Sequence, residues 1–347
     1  MKKNYLFALA FVATFLSISA PNAAHAQDAG IENSFFLGKD DAEKILKEYI
    51  APAPKLIGLV MADGWYFTAQ PLKRGAWNIQ LNTSTVIGDV KDASYDLSKL
   101  NLQNTATPNG VITPTLFGGP GIIVENNKNG KKLTLGDGFN EITPIDQTVL
   151  SLPNFQLNIG LRKNTEISLR GLPPINFAGV SVKTFGFGIK HDIKQWFPSI
   201  SLSSFSLAVV ANFNYFSFEK QLTPTSNSGF LVKPTDRIYG VTSLQYGGGI
   251  VFSKRIKLLT LMTGLRFDIV KGTGELKGTY NVYTPSSGGA GTDNPTNIGV
   301  LTLENSITRV GLNLGAKIKL GKFGVFLQAI VSNYSSVNFG FVFGKNE

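Results

Sequence analysis

Few residues in this chain could perform chemistry. His25 and His191 are its two histidines, and it has no cysteine. Thiol catalysis, disulfides, thiolate metal sites and lipid attachment through an N-terminal cysteine are therefore excluded. His191-Asp192 raises the thought of a Ser-His-Asp arrangement, but no Gly-x-Ser-x-Gly elbow offers the nucleophile. A histidine metal site needs more than one ring. Asp137, in Gly136-Asp137-Gly138, is a lone carboxylate where calcium would want several oxygens. The expectation is no enzyme, no metal and no cofactor. His191-Asp192 reads instead as a strand end before the short turn Lys194-Gln195-Trp196-Phe197-Pro198.

What remains is recognition by polar side chains at every second position. Asn78, Gln80, Asn82, Gln156, Asn158, Glu166, Arg170, Arg266, Asp268, Arg309, Asn313 and Lys317 mix both charges with neutral amides. Each lies between apolar or small neighbours, as in Trp77, Ile79 and Leu81, or Phe155, Leu157, Ile159 and Leu161. Such a set, facing a narrow interior, either pairs its charges to fill the space or lines a polar path.

Strands must position these residues. Alternation runs through 205–215, 259–269, 309–319, 323–331 and 337–343, with apolar residues on one face. Period-2 runs of about ten residues with one apolar face are the pattern of a transmembrane β-barrel. The expected fold is all-β, an antiparallel barrel of about 12 strands (10–14), with the twelve side chains above facing the lumen. Leu261 and Leu312 are expected to face lipid near mid-membrane, and Asn313 to tolerate arginine. A three-residue turn at Arg162–Asn164, with Asn164 left-handed, sets Leu161 opposite Thr165 and Ile159 opposite Ile167. Connections near 163, 253–257 and 321–322 are short, and those at 88–110, 218–237 and 272–303 are long. Short turns belong in the periplasm and long loops outside. Trp65, Trp77, Trp196, Phe197, Phe323 and Phe343 then fall at the periplasmic boundary, where aromatic rings are favoured. Residues 88–150 are harder to read. Asn129-Gly130 suggests a hairpin whose flanks, Ile122–Val124 and Leu133–Leu135, belong to the wall or to a plug.

The first 26 residues read as a signal peptide. Lys2-Lys3 precede an apolar run, and Ala24-His25-Ala26 precede cleavage before Gln27. No later segment is apolar enough for a spanning helix, so a membrane location requires a barrel. The formal charge of +10 falls by two when Lys2 and Lys3 leave. For an exported protein that basic balance points to outer-membrane lipid and lipopolysaccharide and not to nucleic acid. Residues 27–75 precede the barrel (76–347) as a partly helical hatch or periplasmic segment. Asp40 is a candidate N-cap, Ala42, Ile45, Leu46, Tyr49 and Ile50 follow at helical spacing, and Pro52 and Pro54 end the helix. Gly64, Trp65 and Tyr66 are the hatch candidates. A hatch entering from the periplasmic mouth predicts that deleting 27–75 opens a pore in a barrel that stays folded.

Two stretches carry a resemblance. Asp40-Asp41-Ala42 through Tyr49, Pro52 and Gly64-Trp65-Tyr66-Phe67-Thr68-Ala69-Gln70-Pro71 is one, and Gly186-Phe187-Gly188-Ile189-Lys190-His191-Asp192-Ile193-Lys194-Gln195-Trp196-Phe197-Pro198 is the other. Together they resemble an uncharacterised family of bacterial outer-membrane β-barrels, a domain of unknown function. That resemblance implies a location in the cell outer membrane and a barrel architecture, with no activity. A more distant likeness is to the long-chain fatty-acid transporter barrels, which carry an N-terminal hatch. Thr68-Ala69-Gln70-Pro71 replaces that family's Asn-Pro-Ala turn, and its barrels have fourteen strands. Asn338, Gly340 and Phe343 resemble the C-terminal signal read by the barrel assembly machinery. Two functions follow as expectations. One is passive uptake or diffusion of small molecules, a small hydrophobic ligand among them. The alternative is a non-transporting structural or interaction barrel that binds a partner through its long loops.

Overall fold

A computed structural model describes residues 30–106, 110–138, 148–177, 179–201, 203–222, 236–286 and 289–345. The signal-peptide reading of 1–26 lies outside them. A helical stretch over 30–35 comes first, followed by the helices α1 (Lys39–Ile50) and α2 (Pro52–Ala62). The wall is built from β1 (Trp77–Ile87) and, after an insertion, β7 (Val149–Gly160), β8 (Thr165–Phe177), β9 (Val180–Asp192), β10 (Phe205–Gln221), β11 (Ile238–Ile256), β12 (Leu259–Ser286), β13 (Gly289–Leu320), β14 (Phe323–Val331) and β15 (Ser336–Lys345). The insertion holds β2 (Ser94–Asp96), β3 (Thr105–Ala106), β4 (Ile112–Pro114), β5 (Ile123–Asn126) and β6 (Lys132–Thr134).

The wall closes. Each strand is antiparallel to the next, and β1 completes the ring by pairing with both β7 and β15, from Trp77↔Lys345 to Val86↔Ser336. The ring has ten strands, inside the expected range and two fewer than twelve. The Asn129-Gly130 hairpin is present, with Gly130 at φ 68°, but its strands β5 and β6 pair with each other and β3 and leave the wall alone. They are too short to cross a bilayer, and Leu97, Val124, Leu133 and Leu135 pack on Leu37 and Ile45 instead. The buried Asp41 carboxylate fastens this cap to α1. It accepts from the Gln103 and Asn104 amides at 2.8 Å each and from the Thr105 hydroxyl at 3.0 Å. Burial pushes up the Tyr95 phenol beside α1, which donates to the Ile45 carbonyl.

Three local readings change. Gly38, not Asp40, occupies the N-cap of α1, and Asp40 sits in the first turn, where its charge favours the helix dipole. Pro52 does not stop the chain's helical course. It takes the first-turn position of α2, where a missing N–H costs nothing. Of 272–303, the described residues are not a loop, for β12 and β13 run through 272–286 and 289–303 as paired strands, from Leu259↔Ile318 to Ser286↔Gly289. The turn at 162–164 keeps the expected register, Ile159↔Ile167, and the Leu161 amide donates to the Thr165 carbonyl at 2.7 Å. Both Lys163 and Asn164 are left-handed there, where one such residue was expected.

Outside, an apolar belt rings the barrel. On β13 it runs through Val310, Leu312, Leu314 and Ile318, and gives way at Thr308, Ser306 and Glu304 to polar residues. An antiparallel, even-stranded barrel with such a belt is the architecture of bacterial outer membranes. Trp196, Phe197, Phe323 and Phe343 are exposed at the short-turn end, as the belt's edge requires, and Trp77 starts β1 there. Trp65 does not join them, being buried in the lumen. Leu261 and Leu312 do face outward, as does Leu265, which lies directly across the ladder from Leu312. Leu265→Arg should destabilise the folded protein by about 2–4 kcal/mol, whereas Ser306→Arg, beyond the belt, should be near neutral. Denaturant midpoints in lipid vesicles would measure both, and equal tolerance would disprove this belt. Asn313 is only 4% exposed, so the expectation that an arginine fits there freely fails, because the lumen is packed.

Candidate functional site

The lumen is filled by the chain's own N-terminal segment, in two tiers. The route descends from the long-loop end to the short-turn end, as the contacts along β12 show. Ile50 lies against Gly274, Pro54 against Gly272, Gly58 against Val270, and Ala62 bonds Arg266. The expected entry from the short-turn mouth is thereby corrected. Residues 30–50 lie at the opposite end, because the apolar groups that bury them belong to the cap and the upper parts of β12 and β13. Gly272 must be glycine, since a Cβ there would penetrate Pro54.

The upper tier is apolar. Leu46, Tyr49, Ile50, Leu56, Leu59 and Val60 of the helices pack with inward residues of the wall, among them Val86, Val241, Val270 and Leu276. Phe35 stacks on Tyr280 of β12 at 4.4 Å. Lys55 pairs with Asp92 of the cap and donates to Tyr334 at 2.9 Å, tying segment, cap and wall together.

The lower tier is polar, and there the wall solvates a backbone. After α2 the segment runs without regular structure, so its carbonyls need donors in a place without bulk water. Arg170 donates to the carbonyls of Met61 (3.0 Å) and Asp63 (2.8 Å), and Arg266 to that of Ala62. Gln80 serves Gly64 (2.5 Å), Gln156 Trp65 (3.0 Å), Gln328 Tyr66 (3.0 Å) and Lys190 Thr68 (3.3 Å). In return the Leu72 amide donates to Glu166 at 2.8 Å and the Ala69 amide to the Ser253 hydroxyl at 2.9 Å.

A charge cluster crosses the boundary between the tiers. Arg309 bridges the carboxylates of Asp63, on the segment, and Asp268, on β12, the latter at 2.8 Å. Arg266 grips both oxygens of Asp268, donating to Oδ2, which Arg309 also uses, at 2.7 Å and to Oδ1 at 2.8 Å. Arg170, shared with the Gln156 carbonyl oxygen at 2.8 and 3.0 Å, lies 4.0 Å over the Trp65 ring.

All twelve side chains read as lumen-facing are buried. Asn78, Asn158 and Gln156 form an amide chain with bonds of 2.7 Å each. Gln80 and Asn82 bond each other at 3.2 Å, Glu166 pairs with Lys190 at 3.0 Å, and Lys317 sits 4.5 Å over the Phe67 ring. Asn313 is buried on β13 with Gly264 as its partner on β12. Gly64 is at φ 68°, and a Cβ there would run into the Asn82 side chain and crowd Asn338. Trp65 and Tyr66 meet the second motif directly. Cβ atoms at Gly186 or Gly188 would come within 3.0 or 2.8 Å of the Trp65 ring, and the Tyr66 hydroxyl donates towards the Ile189 (3.0 Å) and Ala211 (2.6 Å) carbonyls. The two stretches that carry the resemblance thus form one contact.

Sequence reading missed Asp63, which no periodicity marks. Lys190, Ser253 and Gln328 were legible as inward partners of outward apolar residues. His191 stands at the rim with its Nδ1 2.8 Å from the Thr165 hydroxyl and its Nε2 3.2 Å from Gln195. It closes a strand end. No group of three or more metal-ligating side chains occurs among the described residues.

Structural likenesses are distant. The translocator domain of the autotransporter NalP from Neisseria meningitidis is 12% identical, with 84% of this chain and 93% of that one covered and a TM-score of 0.28. The outer-membrane protease OmpT from Escherichia coli is 11% identical, with 82% and 97% covered and a TM-score of 0.30. The toluene transporter TbuX from Ralstonia pickettii is 8% identical, with 80% and 91% covered and a TM-score of 0.22. Likenesses at this level assign no activity. No curated protein matches the sequence. A family profile does match, from residue 1 to residue 345. The chain belongs to that family, DUF6588, a family of unknown function.

Proposed function

We propose that this protein is an outer-membrane barrel held shut by its own N-terminal segment, acting through what it presents at the long-loop end and not as an open pore. Residues 1–26 serve as the signal peptide, 27–75 as the plug, and 76–347 as the barrel delivered by the assembly machinery. Short turns face the periplasm. The supporting observation is the apolar upper tier, in which α2 is the core of the barrel and not a stopper resting in a channel. The cap adds weight, because residues 88–138 make two small sheets fixed to α1, a folded surface suited to a partner. No catalytic role is proposed.

A second reading keeps passive uptake of small molecules. The lower tier favours it, since bonds to the carbonyls of 61–68 can be exchanged for water at a net cost of about 0.5–1.5 kcal/mol each. Planar-bilayer recording of the intact protein separates the two. The closed barrel should insert without conductance steps and leave liposomes unswollen in small sugars. Reproducible steps, or swelling, would make uptake the better reading.

A further inference from the structure

We propose that the short-turn mouth of the barrel is a binding site for a small polyanion that presents phosphate or carboxylate groups. A cavity of about 200 Å³ opens there, beneath the end of the plug. Lys73, Lys190, Arg255, Lys317 and Lys319 line it, and Glu166 is the one carboxylate among its lining residues.

Two of these cations are built into the site and are not surface decoration. Lys190 and Lys317 are 3% and 6% exposed. Lys190 is held by Glu166 at 3.0 Å and by the Thr68 carbonyl, and Lys317 by the face of Phe67. Five cations and one carboxylate thus line the cavity among the described residues. Positive charge lining a concave mouth focuses its field outward, and ammonium and guanidinium groups suit multivalent oxyanions.

The rim continues the field. Arg162, Lys163, Lys254, Lys257 and Lys322 are exposed in the turns around the mouth, and Asp192 is engaged in capping the Lys194 amide at 2.8 Å. Among the described residues the long-loop end has no such excess, for α1 and the cap intersperse Asp40, Glu43, Asp89 and Asp96 with their lysines. Much of the chain's basic balance is thus gathered at one mouth. That places it away from lipopolysaccharide, the partner the composition alone had suggested, if short turns face the periplasm.

The test titrates pyrophosphate by calorimetry into the refolded full-length mature protein, in non-ionic detergent at low ionic strength. One saturable site per barrel is expected, weakening as salt rises. Lys73→Gln/Arg255→Gln removes two exposed cations that line the cavity and should lower affinity at least tenfold, while heat-modifiable gel mobility shows the barrel intact. Lys254→Gln/Lys322→Gln removes two rim charges outside the cavity and should change affinity less than threefold. Absence of saturable binding, or equal losses in the two pairs, would overturn the site in favour of a diffuse basic surface. Nanodiscs identify the source of the oxyanion. If pyrophosphate binding survives in phosphatidylglycerol discs as in phosphatidylcholine discs, the occupant is a free solute. If it is lost only in the phosphatidylglycerol discs, a lipid headgroup holds the same site.

Discussion

Deleting residues 27–75 is expected to abolish folding, not to open a pore. Phe35, Leu46, Tyr49, Ile50, Leu56, Leu59 and Val60 are all buried in the upper tier. Seven such side chains contribute about 10–20 kcal/mol of burial, against a typical net stability of about 5–15 kcal/mol. The deletion also strips Arg309 of Asp63 and leaves the wall donors of the lower tier facing one another. Urea-solubilised chains lacking the segment should therefore refold into lipid vesicles without recovering heat-modifiable mobility, whereas the intact chain should recover it. A truncated chain that refolds and conducts would reverse this and restore a removable hatch. A chain supplied with residues 27–75 as a separate peptide offers a sharper check, because recovery of the folded band would show that the segment acts as core.

The second large effect is expected at Arg309. Its guanidinium is, among the described residues, the one cation bonded to the Asp63 carboxylate and is shared with Asp268, and all three side chains are shielded from solvent. Removing one partner of a buried pair leaves an uncompensated charge and costs about 3–5 kcal/mol. Arg309→Met should lower the urea midpoint accordingly. Asp268→Ala should do the same, since it leaves Arg266 and Arg309 side by side. The double variant Arg309→Met/Asp63→Leu should regain most of the loss, because apolar replacement of a whole buried pair is often neutral. Trp65, stacked under Arg170 next to this cluster, gives a fluorescence signal from the segment itself. If the single variants cost less than the outward control Ser306→Arg, the cluster does not hold the segment.

The legible part of this fold is the part that touches lipid. Along β13, Val310 to Ile318 alternate with inward polar residues because one face meets hydrocarbon and the other a packed lumen. Above Thr308 the two faces exchange character, with Ile307 and Leu301 turned into the apolar upper tier and Thr308, Ser306 and Glu304 turned out, so the apolar-out pattern stops and a continuing strand looks like a loop. The insertion hid for a different reason. β2 to β6 span two to four residues each, too few for any period to show. Pro52 was legible as a break, but a proline that ends one helix and one that starts the next leave the same mark. Within the site, register placed every wall residue on its face, and nothing in the sequence says that Gln80, Gln156 and Gln328 meet backbone carbonyls and not one another. Asp63 could not be found at all, since its partner lies on β13, far along the chain.

The closing seam carries a consequence for assembly. β1 must find β15, so the first wall strand waits for the last one, and Trp77↔Lys345 is among the final pairs available to the chain. The segment ahead of β1 is by then enclosed on most sides by a curling sheet, with the cap above it. A ring already zipped offers two packed helices no lateral entrance. The geometry thus sets an order of events in which the helices and the cap gather while the sheet is still an open trough, and the seam shuts around them. Folding speed would then be governed by the slow search across the whole chain length, and a bulky substitution at Gly272 should delay the seam before it alters any surface of the finished barrel.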